Sequence, residues 1–156
     1  MAGKGFDESY KTHEFVVEIG GLSSPGITKV TGLSDGEVEA IEQPDGGDNI
    51  THKISSGIIK YDDLTLERNM DGTGQDDYFR EWFETMFTID GSGTGSIDNR
   101  RSGSILVKNH KVTVMRFSFH DAWIKSSKFS DLDAGQSGLM KQTIVLAVER
   151  MRRESV

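Results

Sequence analysis

The sequence predicts a mainly β fold: an antiparallel β-sandwich or barrel with one flanking α-helix and a long projecting hairpin. Three observations carry that expectation. Apolar and polar residues alternate through most of the chain, as they do in strands with one covered face. A single stretch has helical period. Two long alternating arms enclose a run of turn formers.

The elements follow in order. His13-Glu14-Phe15-Val16-Val17-Glu18-Ile19 is a strand ended by Gly20-Gly21. Ile27 to Gln43 is expected to be one long strand with bends at Gly32 and Asp35-Gly36. Pro44-Asp45-Gly46-Gly47-Asp48-Asn49 is a turn, because each residue suits tight or left-handed backbone geometry. The chain returns through His52-Lys53-Ile54 and Gly57 to Tyr61, so residues 27–61 make the hairpin. Leu64-Thr65-Leu66-Glu67-Arg68 alternates cleanly.

Residues 75–90 read as the helix. Phe79, Trp82, Phe83, Met86 and Phe87 stand at i, i+3, i+4, i+7 and i+8, an apolar stripe wide enough to cover a sheet face. Asp76 or Asp77 caps its start and places negative charge at the positive end of the helix dipole. Gly91 suits its end. A glycine-rich loop over 91–99 leads into further strands at 104–109, 112–119, 122–125 and 141–151. About seven strands and one helix suggest sheet on sheet with the helix as a cap. No repeat or second domain is visible, so residues 1–156 are expected to form one domain with an N-terminal arm over 1–12.

Composition excludes several classes of activity. The chain has 18 Lys and Arg against 25 Asp and Glu, a net charge of −7, so attraction to nucleic acid or to an anionic membrane face is not its expected activity. With no cysteine it has no disulfide, no thiolate metal site and no thiol nucleophile. No run of about 18 apolar residues suggests a membrane span, and the N-terminus lacks a secretory signal's apolar stretch. The expected location is the cytoplasm, with release only by lysis.

The candidate small-ligand sites are weak. Asp90 to Asp98 matches part of a calcium-loop spacing, but position twelve is Arg101, where the motif needs a bidentate glutamate. Gly91, Gly93 and Gly95 follow a helix, the reverse of the strand-then-helix order of a dinucleotide site. His13, His52, His110 and His120 lie in separate strand regions without metal-ligand spacing. No serine occupies a nucleophile-elbow context. Arg100-Arg101 and the basic run Arg150 to Arg153 are expected to pair with acids. No catalytic residue, cofactor or metal is expected.

The hairpin is different in kind. Glu37, Glu39, Glu42, Asp45, Asp48, Lys53 and Lys60 keep it charged, yet a projecting hairpin leaves backbone edges unpaired, which monomers avoid. Closing strands from identical copies into one barrel removes those edges.

Here the chain resembles a family: the inner tube protein of contractile phage tails and contractile injection systems. The resemblance is carried by Phe15 to Leu22, Val30-Thr31-Gly32-Leu33, Gly46-Gly47-Asp48-Asn49, Tyr61, and Leu64 to Arg68. It continues through Trp82, Arg100 to Ile105, Asp121-Ala122-Trp123-Ile124-Lys125, Leu132-Asp133-Ala134, and Ile144 to Arg150. The loop over 90–99 is longer and richer in glycine than the family pattern.

The resemblance implies a structural subunit, not an enzyme. Its copies form homohexameric rings stacked into a hollow tube, with a sheath protein outside and baseplate and terminator proteins at the ends. Protein effector or DNA is the transient cargo, with no direct membrane anchoring. If each copy gives four strands, the closed barrel has about 24 strands and a backbone diameter of roughly 50 Å. Within that frame Pro44, Asp45, Gly46, Gly47, Asp48 and Asn49, together with the N-terminal arm, are expected at ring–ring contacts. Glu37 and Glu39 either face the channel, repelling acidic cargo, or sit at a subunit interface paired with Lys or Arg. The alternative class is a monomeric β-sandwich that binds a ligand, with calcium held at Asp90–Asp98.

Overall fold

The computed structural model describes residues 9, 12–20, 22–23, 26–47, 50–70, 72, 74–86, 100–135 and 137–154. Its elements in chain order are β1 (Phe15–Ile19), β2 (Leu22–Ser23), β3 (Ile27–Thr31), β4 (Glu37–Asp45), β5 (Ile50–Lys60), β6 (Leu64–Asn69), α1 (Gly74–Met86), β7 (Arg101–Asn109), β8 (Val112–Phe129), β9 (Lys141–Ala147) and β10 (Arg150–Glu154).

Among the described residues every strand pairing is antiparallel. One path runs β2-β1-β7-β8-β9-β6-β3, with β10 also on β8, and among the described residues β4 and β5 pair only with each other. Strand β8 belongs to both halves of the path. Its first part pairs with β7 and β10, and its second part with β9. Inward residues from both halves, among them Val17, Ile19, Ile105 and Phe119 from one and Leu64, Leu66, Ile144 and Leu146 from the other, form one core cluster. The path is therefore folded on itself into a sandwich.

The turn of β8 from one half to the other is visible in its pattern. Phe119 is buried, and so are Ala122 and Ile124, which breaks strict alternation by one residue. Asp121 between them has φ +55°, and the register with β7 slips at this point. An extra residue in a strand bends it and swaps the faces that follow. The expected separate strands at 112–119 and 122–125 are thus one bulged strand. The expected strand at 141–151 is instead two, because Val148 and Glu149 carry the chain from β9 to β10.

The arm expected as one strand from Ile27 to Gln43 also divides. β3 pairs with β6 in the sandwich, whereas β4 leaves it, so the projecting hairpin spans 37–60 rather than 27–61. Gly32 makes the exit possible. Its φ is +101°, and a Cβ there would stand 2.2 Å from the Asp63 carbonyl oxygen. No side chain fits that approach.

Gly103 is required for a second reason, closeness between strands. A Cβ on it would meet the Glu18 carbonyl oxygen at 2.2 Å and Phe119 Cζ at 2.6 Å. Backbone on one side and a buried ring on the other leave little room for relaxation. Gly103→Ala is expected to lower the unfolding free energy by about 2 kcal/mol through overpacking, as read from the urea midpoint at unchanged slope.

Helix α1 closes one end of the sandwich. Phe79 and Trp82 are fully buried, and Phe83 packs against the core from a half-buried position. The Met86 side chain, Phe87 and the loop at 91–99 lie outside the described residues, so the helix is described only to Met86. The Tyr78 hydroxyl donates to the Ile19 carbonyl oxygen at 3.1 Å. The Arg101 guanidinium lies over both the Tyr78 and Trp82 rings, 4.8 and 5.0 Å from their centroids. Such stacking adds a cation–π attraction to the apolar seal. Behind it, Arg68 projects inward from β6, in phase with Leu64 and Leu66. It pairs with Asp76 in the first turn of α1 and donates to Gln142 Oε1 at 3.2 Å. The other Asp76 oxygen accepts from the Gly72 backbone N–H at 2.6 Å; because the helix begins at Gly74, Asp76 and Asp77 lie inside its first turn and are not its cap as expected.

Candidate assembly surfaces

Strands β4 and β5 form a two-stranded ribbon with both long edges open. All nine residues of β4 are exposed, as are all of β5 except the half-buried Ser56. A lone two-stranded sheet is marginal in water. This one is held by its own pairing, with Glu42 opposite Lys53 and Glu37 opposite Lys60. Lys60 Nζ also lies 3.7 Å from Glu39 Oε2. Both side chains are exposed, so the pair contributes little to stability.

The pairing register sorts the ribbon into two faces. Ile41 is opposite Ile54, Gln43 opposite His52, and Asp45 opposite Ile50. Alternation along β4 puts Glu37 and Glu39 on that same face. The other face carries Val38 opposite Ile59, Ala40 opposite Ser55, Glu42 opposite Lys53, and Pro44 opposite Thr51. Ile41, Ile50, Ile54, Ile58, Ile59 and Val38 are all exposed large apolar side chains. Several such residues on one ribbon are unusual for a surface that stays in water. A register slip on β5 lies between its partners for Val38 and Ala40, and Gly57 within it has φ +78°.

At the tip, Asp45 Oδ1 accepts from the Gly47 backbone N–H at 3.1 Å, an Asx turn that starts the reversal. Pro44, Asp45, Gly46 and Gly47 are described and exposed, whereas Asp48 and Asn49 lie outside the described residues. The N-terminal arm lies outside them too, apart from Ser9 and Thr12.

The basic clusters find acids within the chain. Arg100 pairs with Glu149, Arg150 Nη2 is 3.9 Å from Asp121 Oδ2, and Arg153 Nη2 is 3.6 Å from Asp35 Oδ2. The calcium candidate at Asp90–Asp98 falls outside the described residues, and Arg101 beside it is engaged with the helix aromatics. Among the described residues no group of three His, Asp or Glu is placed to hold a metal ion. None of the described helices is long and apolar enough to cross a membrane.

Sequence reasoning alone missed two features. The buried Arg68 was legible as the third member of an in-phase series with Leu64 and Leu66. The apolar ribbon face was legible by folding the two arms about the turn, which sets Ile41 against Ile54.

Comparison with known proteins agrees with this geometry. The chain matches no protein among those with curated functions. A chain in the cryo-EM structure of an extracellular contractile injection system, the PVC sheath–tube complex in its extended state, is 20% identical. That match covers 95% of this chain and 93% of the other, with a TM-score of 0.75. A chain in the anti-feeding prophage tube-terminating cap is 18% identical over 99% and 97% of the two chains, with a TM-score of 0.81. Hcp1 from Flavobacterium johnsoniae is more distant, 12% identical over 92% and 96%, with a TM-score of 0.54. At these identities the structures establish a shared fold. The family model for the T4-like virus tail tube protein gp19 matches residues 11–152, nearly the whole chain. The chain belongs to that tail tube family.

Proposed function

We propose that this protein assembles into hexameric rings that stack into the rigid inner tube of a phage tail or contractile injection particle. The single observation that carries the reading is the projecting ribbon, two strands with open edges and exposed isoleucines that nothing within the described chain covers. Neighbouring copies supply the missing strands, and a closed barrel leaves no edge to aggregate. The tube does no chemistry. A sheath drives it through a target envelope, and protein effector or DNA passes along a channel of fixed bore. The sheath–tube, cap and terminator assemblies that contain the fold's relatives support a sheath outside and capping proteins at the ends. Assembly in the cytoplasm and release by lysis fit the same reading.

Glu37 and Glu39 belong in this reading to a subunit interface rather than to the channel wall. They share a face with Ile41, Ile50 and Ile54, whose exposed side chains gain from being covered. The opposite face carries Val38, Ala40 and Ile59 beside Glu42, Lys53, Ser55 and Thr51, with fewer charges than the face that holds Glu37, Glu39 and Asp45. The tip from Pro44 to Asn49 reaches the next ring.

Negative-stain microscopy of the purified protein tests the proposal. Rings or tubes with a barrel of roughly 50 Å are expected. A variant in which residues 44–49 are replaced by a two-residue Asn-Gly turn is expected to keep rings but lose long tubes. A species that sediments as one chain at high concentration would overturn the assembly and favour the monomeric ligand-binding module.

A further inference from the structure

Strand β10 is an edge: among the described residues it pairs with β8 alone. Along it lies a cleft of about 410 Å³ whose walls come from four places in the chain. Arg150, Arg152 and Arg153 are on β10 and His120 is on β8, while Asp35 precedes β4 and Tyr61 follows β5.

The charge inside this cleft opposes that of the molecule. Three guanidinium groups stand against one carboxylate, in a chain of net charge −7. The acids nearby engage the arginines loosely. Arg150 Nη2 is 3.9 Å from Asp121 Oδ2 and Arg153 Nη2 is 3.6 Å from Asp35 Oδ2, both beyond hydrogen-bond length and both between exposed side chains. Arg152 is exposed and forms no ion pair among the described residues; its cross-strand neighbour is Ser118. Glu154, two residues further along the same face, stands opposite Arg116. A guanidinium carries five N–H donors in a planar fork, so all three arginines keep donors for a further acceptor. Edge strands carry charge to stay unpaired, but that role needs no concave site. Here His120 and Tyr61 add an imidazole and a phenol to the same walls.

We infer that this cleft binds a small multivalent phosphate anion, with Arg150 and Arg152 as its main ligands. Arg153 neutralises Asp35, the one carboxylate on the walls. Planar guanidinium forks match pairs of phosphate oxygens, which sets this chemistry apart from simple charge attraction. The ligand is a free anion and not a polymer. A short phosphate chain meets only the local excess of positive charge, whereas a long polyanion running past the cleft meets a molecule of net charge −7. With Tyr61 on one wall and β10 on another, the bound anion bridges the root of the β4–β5 hairpin to the sandwich. The site stands independently of the assembly reading above.

Isothermal titration calorimetry of the purified protein with sodium triphosphate, at constant ionic strength, tests the site. One saturable binding event per chain is expected. Arg152→Ala is expected to weaken it about tenfold, the share of one charge-assisted hydrogen bond. Arg150→Ala combined with Arg152→Ala is expected to abolish it. Arg152→Lys keeps the charge but loses the fork, and its affinity is expected to fall between those of the unmodified protein and Arg152→Ala. Arg80→Ala removes an exposed arginine of α1 that pairs with Asp77, and is expected to leave the affinity unchanged. Urea midpoints measured alongside separate a loss of binding from a loss of fold. Three results overturn the inference. One is the absence of saturable heat with triphosphate. Another is equal weakening by Arg80→Ala and Arg152→Ala, which means a diffuse ion atmosphere. The third is tighter binding of a single-stranded oligodeoxynucleotide, or of vesicles containing phosphatidic acid, than of triphosphate, which makes a polymer or a membrane the source of the phosphate.

Discussion

Asp76→Ala is expected to lower the unfolding free energy by about 3 kcal/mol, the usual cost of breaking a buried ion pair by removing one partner. Arg68 is completely buried, and its guanidinium holds Asp76 at the start of α1 while reaching Gln142 on β9. Gln142 in turn donates from Nε2 to Ser127 Oγ at 2.8 Å, so the ion pair is one end of a chain linking helix, β6, β9 and β8. Removing the carboxylate takes an anionic partner from the buried cation. Removing both charges, as in Arg68→Met with Asp76→Ala, takes away the desolvated group along with its partner and is expected to recover most of the loss. Urea titration of the two variants checks this. A double variant no better than Asp76→Ala would mean that Asp76 acts through the Gly72 N–H and the helix start instead.

Trp82→Ala is the second large effect, with about 4 kcal/mol lost from cavity formation. For a chain of this size that corresponds to a drop of roughly 10 °C in the melting midpoint. Trp82 is wholly buried, and it also lies under Arg101, so truncation loses the cation–π contact and leaves the Arg101 stem over a void. Phe79 alongside it seals the same end of the sandwich. The consequence for assembly is indirect. A sandwich whose end is open presents a second apolar surface, so the variant is expected to sediment partly as irregular aggregate. Thermal unfolding followed by near-ultraviolet circular dichroism, with velocity sedimentation of the same sample, reads both effects.

Much of this architecture was legible along the chain, for a reason of geometry. Side chains alternate faces in a strand and recur near every fourth residue in a helix, so covered faces appear as spacing. The alternation of Leu64 and Leu66, that of Ile144 and Leu146, and the spacing of Phe79 and Trp82 all mark residues that the fold buries. The turn at Pro44 to Gly47 was legible because its residue types suit few other backbone shapes.

The places where expectation and structure part share one cause. Residues 27–43 keep one alternating pattern, yet β3 joins the sandwich and β4 leaves it, because the choice depends on whether β6 lies alongside. Residues 112–129 look broken at Asp121, yet a neighbouring β7 turns the break into a bulge within one strand. The assembly surface shows the same limit. Six exposed apolar residues could be read from the hairpin, but their division into one face with Glu37 and Glu39 and another with Glu42 needed the cross-strand register.

By itself the sequence determined the local elements, the apolar stripe of the helix, the exposed turn and the family, since each depends on residues close in the chain or on their order. Only the tertiary structure decided which strands pair, that Arg68 lies buried beneath α1, and that α1 seals one end of the sandwich. Several of those outcomes depend on partners far apart in the chain, as in the Thr28–Glu67 and Glu14–Lys111 hydrogen bonds, 39 and 97 residues apart. Bringing such distant segments together costs chain entropy that only the whole core repays, and no local pattern records which pairing wins.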